Sequence, residues 1–95
     1  MRAADLLTLM INSPTKVEYK RICLSNHEKV QPLTSIYLNE KNQCVFVFEQ
    51  KEPPMSIKKL LLFLMKNREK DLFYQKEQQI HPLYGLKETG DQWFI

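Results

Sequence analysis

Asp5-Leu6-Leu7-Thr8-Leu9-Met10-Ile11-Asn12 and Leu60-Leu61-Leu62-Phe63-Leu64-Met65-Lys66-Asn67 decide the fold, because the second stretch reads as a copy of the first. They stand 55 residues apart, and Tyr19 and Tyr74 keep that spacing. Val30-Gln31-Pro32-Leu33 then meets Ile80-His81-Pro82-Leu83 at a spacing of 50. Gln43-Cys44-Val45 meets Gln92-Trp93-Phe94 at 49. The spacing changes only in polar loops, where deletions cost least. Blocks that recur in the same order make the chain a doubled unit.

Working outward, Ala3, Leu6, Leu7, Met10 and Ile11 follow helical periodicity up to Ser13-Pro14, where proline disfavours further helix. Val17 to Leu24 reads as a half-solvated strand, with apolar residues interleaved among Glu, Lys and Arg. Val30 to Leu38 is a second strand, and Pro32 suits it to a sheet edge or a bulge. Asn39-Glu40-Lys41-Asn42 is a hairpin turn. Gln43 to Phe48 is a third strand, and its continuous apolar run implies burial on both faces, or burial on one and a partner on the other. Residues 49–55 form a polar linker stiffened by Pro53 and Pro54. Ser56 is placed to cap a second helix, in which Ile57, Leu60, Leu61, Leu64 and Met65 repeat the apolar spacing. Leu72 to Lys76, Ile80 to Lys87 and Gln92 to Ile95 are the second set of strands, with a polar loop at Glu77-Gln78-Gln79 and a hairpin turn at Thr89-Gly90-Asp91.

The expected fold is α+β, with two tandem α-β-β-β repeats related by a pseudo-twofold axis. The helices are expected on one face of antiparallel sheet. Repeat 1 covers about residues 1–48, the linker 49–55 and repeat 2 about 56–95, in a single domain of residues 1–95, a common domain size.

Composition narrows the function classes. Hydrophobic residues are 43% and charged residues 26%, a globular balance. No apolar run approaches the ~20 residues that span a bilayer, and the N-terminus lacks a secretory pattern. A cytoplasmic protein is therefore expected, with no membrane partner. Cys23 and Cys44 read as reduced, buried thiols. With His27 and His81 they match no zinc spacing, so no metal and no cofactor are expected. No nucleophile motif or glycine-rich phosphate loop is present, and Asp5, Asp71 and Asp91 have structural roles at helix ends and turns. Catalysis is not expected.

Two binding readings remain. The second helix has more apolar surface than one core face uses, because Leu62 and Phe63 lie off the main stripe, and the chain ends on Trp93-Phe94-Ile95. Leu62, Phe63 and Trp93 are the candidate contacts for a protein partner or a second copy of the chain. The alternative is a sequence-tolerant nucleic-acid binder using Lys58, Lys59, Lys66, Arg68 and Lys70. Net charge is +3 and the pI is about 8.9, and acidic residues interleave with the basic ones. That falls short of a typical nucleic-acid footprint.

Pro32-Leu33-Thr34-Ser35-Ile36 followed by Tyr37-Leu38-Asn39-Glu40-Lys41-Asn42-Gln43, after a short Leu-rich helix, resembles a class of small phage and prophage proteins of unknown function. The resemblance covers about half the chain. It implies a bacterial or phage origin and a non-enzymatic accessory role, and it carries over no functional residues.

Overall fold

The computed structural model describes residues 1–12, 21–26, 29–90 and 92–95. Helix α1 spans Ala3–Ile11 and buries Ala3, Leu6, Leu7 and Met10 as expected, whereas Ile11, expected in the same stripe, is exposed. The Asp5 carboxylate accepts the Arg2 N–H at 2.8 Å, closing the helix start. Helix α2 spans Ile57–Lys66 and buries Leu60 and Leu64. Ser56 caps it as expected, its Oγ accepting the Lys59 N–H at 3.2 Å.

Each helix leads into four short strand segments. They are β1 Arg21–Asn26, β2 Lys29–Pro32, β3 Ser35–Leu38 and β4 Cys44–Val47, then β5 Leu72–Lys76, β6 Gln79–Pro82, β7 Lys87–Thr89 and β8 Gln92–Phe94. The helix-then-three-strands pattern is present twice, but the middle strand of each repeat is broken in two. In the first repeat the break falls at Leu33-Thr34. The Leu33 N–H donates to Ile22 C=O at 2.8 Å and the Thr34 N–H to Val47 C=O at 2.9 Å. Neighbouring residues are thus committed to different strands, and the chain passes from one sheet to the other. Leu33 and Leu83 fill the core at these crossings. In the first strand, Val17 to Lys20 lie outside the described residues, and β1 runs on past Leu24 to Asn26.

Two four-stranded sheets result, ordered β2-β1-β8-β7 and β3-β4-β5-β6. Pairs within a repeat are antiparallel, as expected. The pairs between repeats, β1 with β8 and β4 with β5, are parallel, so both sheets are mixed. The expectation of wholly antiparallel sheet is corrected there. The pseudo-twofold exchanges the two sheets, because β1 and β2 correspond to β5 and β6, and β3 and β4 to β7 and β8. Pro32 and Pro82 end the edge strands β2 and β6, where a missing N–H disrupts least.

The structure also corrects the spacing of the repeat. Cys23 pairs with Pro32 as Phe73 pairs with Pro82, so the offset is already 50 in the first strand. The helices begin at Ala3 and Ile57, an offset of 54 rather than 55. That phase superposes buried Leu6 on Leu60 and Met10 on Leu64, whereas 55 would set exposed Asp5 on buried Leu60. Hydrogen bonds obey the same relation. Met55 N donates to Leu33 C=O at 2.8 Å, and Met1 N to Leu83 C=O at 3.0 Å. The offset of 49 holds in the last strand, since Cys44 pairs with Leu72 and Trp93 with Ile22.

One apolar cluster joins the buried faces of both helices to Ile22, Leu24, Phe46, Leu72 and Trp93 from the sheets. Val45, on the other face of central strand β4, is buried as well, which agrees with the first of the two arrangements its apolar run allows. The start of α1 abuts the end of α2, because Ala3 and Ala4 N–H donate to the Lys70 and Arg68 carbonyls, both at 2.9 Å.

Candidate protein interface

The exposed face of α2 is built around Leu62. With Leu60 and Leu64 turned to the core, helical geometry turns Leu62 outward. Its neighbours three and four positions away are Lys58, Lys59, Met65 and Lys66. All four are exposed. Leu62 is 48% exposed and Met65 56%. The face is therefore two apolar side chains flanked by three cations. Arg68 adds a fourth exposed cation in the turn that follows, and α2 itself contains no acidic residue. None of these four cations forms an ion pair among the described residues.

Lys70 stands apart from the others. It is half-buried, and its Nζ donates to Asn67 Oδ1 at 2.7 Å, while Asn67 Nδ2 donates to Phe63 C=O at 2.7 Å. It serves the C-terminal turn of the helix, whose carbonyls lack helical partners.

The equivalent face of α1 differs in kind. At the offset of 54, Leu62 corresponds to Thr8, whose helical neighbours are Ala4, Asp5, Ile11 and Asn12. Thr8 Oγ1 donates to Ala4 C=O at 3.0 Å. That face keeps one exposed apolar residue of the pair, Ile11 at 70%, and carries no lysine.

The remaining expected contacts separate. Phe63 is half-buried against the core cluster, so only part of its ring reaches the surface. Trp93 is corrected: it is fully buried. Its strand β8 lies between β1 and β7, so the last strand is interior and not an open edge. The sequence reading missed Met65, which it placed in the buried stripe. Its counterpart Ile11, expected in the buried stripe of the first helix, is likewise exposed, since each lies one residue past the last buried helical position.

A second apolar feature also went unread. The outer face of the second sheet carries the row Tyr37, Val45, Phe73 and Pro82 in register. An open groove of about 690 Å³ borders it, lined by Tyr37, Leu38, Phe73, Ile80 and part of the turn that follows Leu38. The Asn39 side chain organises that turn, its Oδ1 accepting the Lys41 and Gln43 N–H groups. Nothing local in the sequence places β4 beside β5 in parallel, so this row could not be assembled from it.

Other chemically active groups have structural surroundings. His81 stacks on Tyr74, with ring centroids 5.3 Å apart, and His27 lies outside the described residues. Cys23 and Cys44 are free and buried, and burial pushes the Cys44 thiol pKa up, with the Lys70 charge a smaller opposing influence. No three His, Cys, Asp or Glu residues gather to hold a metal among the described residues. No helix among them is long and apolar enough to cross a membrane. No protein-family model, curated protein or solved structure matches the chain.

Proposed function

We propose that the chain is a small non-catalytic binding protein that acts in the cytoplasm through protein contacts made by the exposed face of α2. The resemblance at Pro32–Gln43 adds the proposal of an accessory role in a bacterium or phage. The observation that carries the reading is the exposure of Leu62 and Met65, which no packing within the fold requires. Exposed apolar side chains framed by polar ones favour association. The same position on α1 has threonine, so the fold itself does not demand a leucine there.

The lysines and Arg68 support a second reading, in which the face meets nucleic acid. Their retention on heparin would then vanish at moderate salt. A photo-crosslinking residue at position 62 of the full chain, compared with one at position 8, separates the two in cells. A discrete, nuclease-resistant protein adduct from position 62 alone is expected. A nuclease-sensitive adduct, or the same products from both positions, overturns the protein-contact reading.

A further inference from the structure

The lysines around Leu62 identify the chemistry of its partner. We propose that the exposed face of α2 docks an acidic amphipathic helix of another protein, its apolar stripe on Leu62 and Met65 and its carboxylates on Lys58, Lys59, Lys66 and Arg68. The proposal rests on the reading that α2 is the contact surface, and adds what the surface selects.

Charge complementarity carries the argument. Lys58 and Lys66 are eight residues apart, about 12 Å along the axis. Carboxylates spaced by two turns of a facing helix match that span. The cations have no partner among the described residues, so a docked acid does not first have to break an ion pair. Complementary charge set around an apolar centre steers encounter and selects partners, while the centre supplies most of the affinity.

The alternatives fit less well. Two copies meeting through α2 would oppose lysine with lysine, and the chain already carries a net charge of +3. The α1 face offers only Asp5. A nucleic-acid backbone would bring phosphates against Leu62 and Met65, desolvating charge over apolar surface. The α2 face also lacks an aromatic side chain at its centre on which a base could stack.

The test uses the full chain, isotopically labelled, and four probes. Three are helical peptides with the same leucine stripe, flanked by glutamate, glutamine or lysine, and the fourth is a single-stranded DNA 12-mer. The glutamate peptide is expected to shift amide signals of α2 and to bind at least tenfold more tightly than the glutamine peptide. Raising salt from 50 to 300 mM should weaken it about tenfold, since exposed charges are screened. The K58E/K59E/K66E variant should exchange its preference for the lysine peptide. Equal binding of the glutamate and glutamine peptides at α2 would overturn the acidic partner and leave α2 as a contact surface. If no peptide shifts α2, or the DNA binds there more tightly than every peptide, both readings are overturned.

Discussion

Leu62 and Leu64 are two residues apart and occupy opposite environments, so they separate folding from contact. Leu64 is fully buried, and Leu64→Ala removes apolar volume from a packed core. It should cost about 2–5 kcal/mol in urea denaturation. Leu62→Ala should change stability by less than ~0.5 kcal/mol, because its side chain is half in water already. Trp93→Ala should behave as a core substitution and cost roughly 3–5 kcal/mol. Cys44 gives a pH signature. Burial raises its folded pKa above the unfolded value, so the folded chain holds the proton more tightly. This contribution is complete below the ordinary thiol pKa of about 8.5 and is lost as pH rises through the folded value. Thiol reagents should label Cys44 only as the chain unfolds. At this scale the periodicity of the sequence located Leu60 and Leu64 correctly. It set Leu62 off the stripe but misplaced Met65 and Ile11 and could not settle Trp93, because a run of apolar residues satisfies several helical phases and a terminal aromatic can be an edge or a core residue. Packing against the sheets makes that choice.

The hairpins show how much a local element owes to its own residues. Glu77 and Gln78 both adopt positive φ, at 53° and 67°, as a tight two-residue hairpin turn with the right twist requires. Side chains other than glycine, asparagine or aspartate are strained there. Gln78→Gly should therefore stabilise the protein by up to ~1 kcal/mol, and Gln78→Ile should destabilise it, as read from thermal unfolding. Asn42 occupies the same region at 64°, where asparagine is well tolerated, and Gly90 does so at 59°. The turns at Asn39–Asn42 and Thr89-Gly90 were legible because they use these residue types, although Asp91 lies outside the described residues. The Glu77-Gln78 loop was legible only by its polarity. The breaks at Leu33-Thr34 and beyond Pro82 were not legible. Pro32 and Pro82 interrupt each middle strand, but only pairing with two different neighbours sends its two parts into different sheets.

The whole molecule is interleaved rather than assembled from two separate halves. Every sheet has a parallel central pair with one strand from each repeat. Neither repeat alone can form the centre of a sheet, since β1 lacks β8 and β4 lacks β5. The linking hydrogen bonds are symmetric, Met55 to Leu33 and Met1 to Leu83, so each repeat's entry segment is tied to a strand crossing. Parallel pairing between distant segments has no local sequence signal. The repeat was therefore visible in the sequence while the exchange of strands between its sheets was not.

Interleaving makes a prediction about cooperativity. Leu6 and Leu60 are equivalent and fully buried, one in each repeat. Independent repeats would let Leu6→Ala melt the first half while the second stays folded, giving two phases in urea. A shared pair of sheets forces the halves to unfold together. Both Leu6→Ala and Leu60→Ala should lower the midpoint of a single transition, with an unchanged denaturant slope because the same total surface is exposed. The fragments 1–54 and 55–95 should each lack stable structure alone and regain helical and strand signals by circular dichroism when mixed. A stable fragment, or a biphasic curve in which only one variant shifts each phase, would show that the parallel pairs do not couple the repeats.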